Sequence, residues 1–272
     1  MTILLSTFVT NGFATDTESG TVAESTPQSM QAEAGHVEGY MTLPLGDEVF
    51  DATFVADKTG RDYGKVLILP DQDGSIDSYD LVHTLRVRLA ESGWSTMTVA
   101  LSYPYQPQLL LSPNANDEEP VAQIETTSEA EVGESATTSD DDNAGRVAAA
   151  VAYLNAQQPG PTVIIAMGKS AELSATAIAQ VGKDNALIWI SPEWQAETAP
   201  EAQYVLDITL SASAYEETTN VQQRAVMMRK NVVQYSQRQI PGATSNFNGF
   251  EQPVFNLIRN WLYKAFAQGA TS

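Results

Sequence analysis

The segment of the chain with the clearest potential for chemistry is Ala166–Ala171, which reads AMGKSA. It overlaps the end of Val163–Met167, an apolar run with the length of a buried strand. A helical pattern follows directly, because Leu173, Ala177 and Val181 recur at intervals of four and share one helix face. A strand, a tight turn and a helix in this order can present a nucleophile for acyl transfer.

Gly168 occupies the position that should carry the nucleophile, since Ala166 and Ser170 fill the small positions of a small-x-nucleophile-x-small pattern. Glycine has no side-chain atom that can attack a carbonyl carbon. Acyl transfer also needs a general base beside the nucleophile and an acid that orients the base. No histidine follows His83 in the sequence, so the usual base is missing as well.

The loops expected to carry the acid and the base of a triad are poor in suitable residues. The acid is expected after the strand Tyr204–Leu210, where the sequence reads SASAY and the first carboxylate belongs to Glu216. The base is expected after the strand that ends near Gln239, and residues 243–246 there are Ala, Thr, Ser and Asn. The roles of nucleophile and base are therefore both unfilled.

Oxyanion stabilisation is also predicted to be poor. One donor would be the backbone N–H of Lys169, and the other would come from the loop at Asp71 and Gln72. Asp71 and Asp73 place negative charge where an oxyanion would develop, which opposes its stabilisation. As a pair, these two carboxylates are an alternative candidate for general acid–base catalysis, although adjacent acids in a loop more often form turns.

Ser170 and Lys169 are the remaining candidates near the turn. Ser170 is the first candidate for a relocated nucleophile. In the alternative interpretation, it is a helix-start residue whose hydroxyl bonds to the backbone. The N–H groups and the positive dipole end of the helix, with Lys169 and Ser170, predict a weak site for a carboxylate or phosphate group. Asp71 and Gln72 complete this set of candidate ligand-binding residues. In the alternative interpretation, Lys169 is solvated or pairs with a nearby acid such as Asp71.

The sequence predicts no metal centre and no cofactor. The Gly-Lys-Ser run at 168–170 matches the end of a phosphate-binding loop, but that motif needs a glycine where Val163 stands. Cysteine is absent, and His36 and His83 are both predicted to be surface residues. Neither zinc ligation nor thiol catalysis is therefore expected.

The chain is strongly acidic, with 34 Asp and Glu residues against 14 Lys and Arg residues and a net charge of −20. Nucleic acid is not an expected partner, because its phosphates are bound by clustered basic residues, and anionic membrane surfaces are disfavoured for the same reason. No window approaches the roughly 18 consecutive apolar residues that a membrane span needs. A small anionic ligand and a protein of the cell envelope remain the candidate partners.

The first 14 residues resemble a truncated secretory signal, with the apolar stretch Ile3–Val9 and small residues up to a cleavage point after Ala14. This predicts a periplasmic or secreted protein; the alternative is a cytoplasmic protein with an unstructured N-terminus. Residues 15–36 and 113–143 are polar and rich in acidic residues. They predict a disordered spacer and a disordered insertion, respectively.

Apolar patterning in the rest of the chain predicts strands that alternate with helices, and hence a mostly parallel sheet covered on both faces. Two leading strands without a helix between them predict an antiparallel N-terminal edge. The predicted fold is a doubly wound, α/β-hydrolase-like single domain over residues 37–268. Strands are predicted at Tyr40–Leu45, Glu48–Ala56, Lys65–Pro70, Ser95–Tyr103, Val163–Met167, Ala186–Ser191, Tyr204–Leu210 and Val232–Gln239, and helices at Ser78–Ser92, from Ala144, after Gly168, at Ala214–Asn231 and from near Phe250.

Several segments of the chain resemble a bacterial family of unknown function within the α/β-hydrolase superfamily. The segments read GKVLILPDQDG, ESGWSTMTVALSYP, AMGKSA and QRQIPGA…IRNWLYK. The resemblance covers roughly Val37–Phe266 apart from the acidic insertion. In that family the turn usually reads Gly-His-Gly-Thr-Gly-Ala, so the resemblance implies glycine at the nucleophile position. This chain departs further, since it lacks the His and one Gly.

These observations predict an exported α/β-hydrolase-fold protein that lacks a recognisable Ser-His-Asp triad and serves as a binding or scaffolding protein of the cell envelope. Any ligand site is expected at the carboxyl edge of the sheet. The first alternative is an esterase or another hydrolase with relocated catalytic residues, beginning with Ser170. The second alternative is an interaction protein that acts through its acidic insertion.

Overall fold

One sheet lies at the centre of the protein, for which a computed structural model gives the coordinates. The structure describes residues 37–78, 80–103, 132–157, 159–193, 198–210, 215–232, 234–243 and 247–267. The predicted signal segment, the predicted spacer and residues 113–131 of the predicted insertion lie outside the described residues. The strands are β1 (Tyr40–Leu45), β2 (Glu48–Val55), β3 (Gly64–Leu69), β4 (Trp94–Val99), β5 (Thr162–Met167), β6 (Asn185–Ile190), β7 (Tyr204–Leu210) and β8 (Gln234–Ile240).

The strand order is β1-β2-β4-β3-β5-β6-β7-β8. β2 pairs antiparallel with both β1 and β4, whereas the other neighbouring pairs are parallel. This topology confirms the predicted sheet with its antiparallel N-terminal edge. Because the strands from β3 to β7 are parallel, their carboxyl ends lie at one edge of the sheet, and the turn after β5 opens there.

Helices cover both faces of the sheet, as predicted. Side chains alternate along β3, where Val66 and Ile68 face one apolar cluster and Leu67 and Leu69 face the other. α1 and α5 contribute to the first cluster, and α2, α3 and α4 contribute to the second. The helices are α1 (Leu81–Ala90), α2 (Val132–Gln157), α3 (Ser170–Ala177, followed by the 3-10 turn Ile178–Gln180), α4 (Tyr215–Asn231) and α5 (Glu251–Leu262, followed by the π turn Tyr263–Ala267).

Burial on both faces explains the apolar runs of β3, β5 and β6, although β4 also buries the small polar side chains of Ser95, Thr96 and Thr98. Every residue of β3, β4, β5 and β6 is buried. A strand covered by helices on both sides cannot alternate between apolar and polar side chains without burying the polar ones. Within the described residues, a helix with the length and hydropathy of a membrane span does not occur.

α2 begins earlier than predicted, at Val132 instead of Ala144, so residues 132–143 of the predicted disordered insertion are helical. Asn143 is fully buried. Its side chain donates to the Ser102 carbonyl oxygen (2.6 Å) and accepts from the Ser102 N–H (2.7 Å). Arg146 adds a hydrogen bond from Nη1 to the Ala100 carbonyl oxygen (3.0 Å). The contacts of Asn143 are polar, which is why an apolar pattern did not reveal this part of the helix.

A buried ion pair fastens α4 to the sheet. Asp207 in β7 is fully buried, and Arg224 in α4 is 4% exposed. Arg224 donates from Nε to Asp207 Oδ2 (3.0 Å) and from Nη2 to Oδ1 (3.2 Å). The Tyr235 hydroxyl also donates to Oδ2 (2.9 Å), and burial, followed by the Asp207 charge, raises the pKa of Tyr235 and keeps it neutral. These donors together make burial of the Asp207 carboxylate tolerable.

Arg224→Met is expected to lower the free energy of unfolding by about 3–5 kcal/mol, because it leaves the Asp207 carboxylate buried without its counter-charge. Urea denaturation followed by circular dichroism measures this loss. Arg229→Met is the matched control, since Arg229 lies on the same helix and is exposed. Equal losses in the two variants would contradict the anchoring role of the ion pair.

Candidate functional site

The turn after β5 has the geometry of a nucleophile elbow. β5 ends at Met167, α3 begins at Ser170, and Gly168 between them has φ +52°. That left-handed conformation suits glycine, because a side chain there approaches the following carbonyl. The predicted strand, turn and helix are therefore confirmed.

The side chain of Asp71 fills the space in which a nucleophile would stand. A Cβ atom built on Gly168 would lie 2.0 Å from Asp71 Oδ2 and 2.3 Å from its Cγ. Non-bonded atoms cannot approach so closely, so any side chain at position 168 would require the Asp71 carboxylate to move from its place beside the elbow. The turn loop at residues 71–74 thus reaches the apex of the elbow from the neighbouring strand.

Asp71 also takes the two backbone donors that would bind an oxyanion. The N–H of Lys169 donates to Asp71 Oδ1 (3.1 Å), and the N–H of Gln72 donates to the same oxygen (2.7 Å). These are the residue after the nucleophile position and the loop after β3, the two sources of an oxyanion hole in this fold. The N-terminus of α3 therefore already has an anion beside it, and that anion belongs to the chain itself.

The side chain of Lys169 bonds to the same 71–74 loop. Its Nζ donates to Gln72 Oε1 at 2.5 Å. Three of the four candidate ligand-binding residues, Asp71, Gln72 and Lys169, consequently bind one another. The fourth, Ser170, lies apart from this group of contacts.

Ser170 is buried beneath the turn. Its side chain is fully buried, and Oγ accepts from the N–H of Met167 (2.9 Å). The same Oγ lies 3.0 Å from the carbonyl oxygen of Leu69 and 2.9 Å from that of Met167. The hydroxyl therefore joins the ends of β3 and β5 through backbone groups, as expected of a helix-start residue. A nucleophile would instead need an oxygen directed at a substrate and a base to take its proton.

The expected positions of the triad acid and base are only partly described. Residues 211–214 and 244–246 lie outside the described residues, and so does the side chain of Glu216. Asp207, four residues before the expected acid loop, is bonded to Arg224 of α4. Asp73, the second candidate carboxylate of the 71–74 loop, is exposed to solvent.

The sequence did not indicate the residues that brace the elbow from β6. The N–H of Gly168 donates to the Ile190 carbonyl oxygen (3.1 Å), and the N–H of Glu193 donates to the Gly168 carbonyl oxygen (3.0 Å). Between them, Ser191 has φ +48° and donates its N–H to Ile208 (2.8 Å). These contacts use backbone atoms alone, so side-chain patterns carry no signal for them.

His83, predicted as a surface residue, is partly exposed and lies beside a carboxylate. Its side chain is 37% exposed, and its Nδ1 lies 2.9 Å from Asp77 Oδ1. The same oxygen accepts from Arg86 Nη2 (2.6 Å). His36 lies outside the described residues. Across the described part of the chain, no group of three or more His, Asp or Glu residues is arranged to hold a metal ion.

Gly168→Ala is expected to lower the free energy of unfolding by about 2–4 kcal/mol, the sum of left-handed strain and the loss of hydrogen bonds to a displaced Asp71. Chemical denaturation measures the change. Gly46→Ala is the matched control, because Gly46 has φ +60° but an added Cβ there would meet nothing within 4 Å. Its expected cost is the strain alone, about 1–2 kcal/mol.

Asp71→Ala is expected to make the elbow tolerant of a side chain. In a double-mutant cycle, Gly168→Ala should cost less in the Asp71→Ala background than in the native protein, by about 1 kcal/mol or more. Additive effects of the two substitutions would show that the Asp71 carboxylate does not limit the elbow.

Solved hydrolases share this fold at low sequence identity. The dienelactone hydrolase of Anabaena variabilis aligns with a TM-score of 0.57 and 14% identity over 85% of this chain and 98% of that chain. A lidless α/β serine hydrolase of Xanthomonas campestris gives a TM-score of 0.54 and 13% identity over 83% and 92%. A serine hydrolase homologue of Coxiella burnetii gives 0.54 and 14% over 81% and 95%. Such identities show a common fold alone.

Sequence comparison leads to a family whose function is not known. No curated protein sequence matches the chain. The model of the family described as "Protein of unknown function (DUF3530)" matches residues 14–264. This match spans most of the 272 residues and includes the elbow. The chain therefore belongs to the DUF3530 family, and its fold is that of the α/β hydrolases.

Proposed function

We propose that this protein is a non-catalytic member of the α/β-hydrolase fold that serves as a binding or scaffolding protein of the cell envelope. The observation that carries the proposal is the position of the Asp71 carboxylate, which meets Gly168 and accepts from the N–H groups of Gln72 and Lys169. The elbow therefore lacks a nucleophile, and its oxyanion donors are already bonded.

The turnover that a serine hydrolase loses without a nucleophile or a base supports this proposal. Loss of the nucleophile or the base of a triad lowers turnover by about 10⁶-fold in a serine hydrolase. What survives such a loss comes largely from the oxyanion hole and substrate binding. Here a negative charge stands in the hole, where it would repel an oxyanion that develops in the transition state. The Asp71 side chain thus opposes both contributions, because it fills the space of a nucleophile and places its charge in the oxyanion hole.

The structural neighbours bear the names of hydrolases, which makes relocated catalysis the competing hypothesis. Ser170 is its leading nucleophile. The Ser170 hydroxyl is buried and bonded to backbone groups of Met167 and Leu69. To attack a substrate it would have to leave these partners, and no histidine follows His83 in the chain to accept its proton. The geometry thus favours the non-catalytic proposal over relocation to Ser170.

The native protein is expected to show no labelling by a fluorophosphonate probe and no hydrolysis of short-chain p-nitrophenyl esters above a heat-denatured sample. A serine esterase of known activity is the positive control for both assays. Labelling of the native protein that disappears in Ser170→Ala would overturn the proposal. Labelling that persists in Ser170→Ala would place a nucleophile elsewhere and overturn it equally.

The envelope location is a separate part of the proposal, and it is supported by the apolar stretch Ile3–Val9 and the small residues that follow it. The protein isolated from its native host is expected in the periplasmic or secreted fraction, with an N-terminus generated after Ala14. Mass spectrometry of the intact chain locates that N-terminus. A chain that keeps residues 1–14 and fractionates with a cytoplasmic marker would contradict export.

A further inference from the structure

A cavity of about 310 Å³ lies at the end of the sheet opposite to the elbow. Its lining includes Tyr63, which precedes β3, and Trp94, the first residue of β4. The elbow follows the last residue of β5, which runs parallel to β3. The two sites are therefore separated by about 20 Å, the length of a six-residue strand. The cavity volume is at the lower end of the range of small-molecule sites, roughly 300–1,000 Å³.

Two arginines line this cavity, and no carboxylate of the described residues pairs with either. Arg61 comes from the loop before β3, and Arg259 and Asn260 come from the last turn of α5. Among the described residues, neither guanidinium takes part in an ion pair. In a chain of net charge −20, where acidic groups outnumber basic ones by more than two to one, this lining holds two guanidinium groups and one carboxylate, that of Glu91.

Arg259 is held in place by uncharged groups. Its guanidinium carbon lies 5.5 Å from the centre of the Phe255 ring, and its Nη2 donates to Asn260 Oδ1 (3.3 Å). A cation held over a ring and bonded to an amide keeps its charge available, since neither partner neutralises it. Planar guanidinium groups bind carboxylates through paired N–H donors.

Aromatic rings supply the apolar part of the lining. Trp94, which lines the cavity, is 2% exposed. The centroid of its ring lies 6.2 Å from the centroid of the Tyr63 ring. Tyr263, on the turn after α5, is 50% exposed and lines the cavity as well. Flat rings of this kind favour a planar apolar ligand over a compact hydrated one.

The charge of the lining limits the charge of the ligand. Glu91 also lines the cavity, and Arg61, Arg259 and Glu91 together carry one net positive charge. A ligand with one negative charge neutralises this set, whereas a dianion would leave an excess of negative charge next to Glu91. The lining therefore suits a monocarboxylate better than a phosphate dianion.

We propose that this cavity binds a small aromatic monocarboxylate. Its carboxylate pairs with Arg61 and Arg259, and its ring lies against Tyr63 and Tyr263. This site lies at the amino edge of the parallel strands, whereas the sequence predicted a ligand site at their carboxyl edge. It extends the proposed binding role, but it does not depend on the inactivity of the elbow.

Isothermal titration of the full chain with benzoate tests the proposal. Benzoate is expected to bind with a Kd in the millimolar range or tighter, and Arg61→Gln and Arg259→Gln are each expected to weaken binding about tenfold. Arg238→Gln is the matched control, since Arg238 is exposed on β8 and bonds to the Gln237 carbonyl oxygen. It is expected to leave the Kd unchanged, and thermal melting checks that all three variants fold.

Two further ligands separate the contributions of charge and ring. Benzyl alcohol keeps the ring without the charge, and inorganic phosphate keeps charge without a ring; both are expected to bind at least about tenfold more weakly than benzoate. No heat of binding with benzoate, or an unchanged Kd in both pocket variants, would overturn the proposal. Benzyl alcohol or phosphate binding as tightly as benzoate would overturn it too. Fluorophosphonate labelling reports on the elbow alone, so either proposal can fail without the other.

Discussion

The contact between the Asp71 carboxylate and the elbow sets the geometry of the turn after β5. A carboxylate with one oxygen on two backbone N–H groups and the other beside Gly168 is an intramolecular counterpart of the anion that a hydrolase stabilises. It satisfies the N–H of Lys169 at the start of α3, which would otherwise need water or a ligand. In this position it also favours glycine at the apex, because a Cβ there would lie 2.0 Å from Asp71 Oδ2. The glycine at the apex and the bonded N–H groups of Gln72 and Lys169 thus both lie beside one carboxylate.

Polar groups elsewhere in the protein act as anchors within the fold. Asp207 and Arg224 hold α4, Asn143 holds the middle of α2 to the chain after β4, and Ser170 joins the ends of β3 and β5. Each is buried and bonded to charged or backbone partners, which is the condition under which burial of a polar group is tolerated. Residues that resemble catalytic candidates by type, an aspartate in the middle of β7 and a serine just after the elbow, have structural partners here.

The two ends of the parallel strands therefore differ in character. The carboxyl edge, where this fold usually places its chemistry, has the chain's own carboxylate at its centre. The amino edge has a cavity with two arginines that lack carboxylate partners among the described residues. The same packed sheet supports both edges. A ligand site at the amino edge therefore does not require a working site at the carboxyl edge.

The sequence by itself determined the fold class, the β7 and β1 boundaries and the glycine at the elbow, because each depends on local periodicity or on a single residue type. It could also place Asp71, Gln72 and Lys169 in one region, since the ends of parallel neighbours meet. Only the tertiary structure decided that Asp71 enters the elbow, that Ser170 turns inward, and that α2 begins before Asn143. Those outcomes depend on contacts between residues far apart in the chain, such as the 98 positions that separate Asp71 from Lys169. Periodicity within one segment carries no information about which distant partner a polar side chain will find.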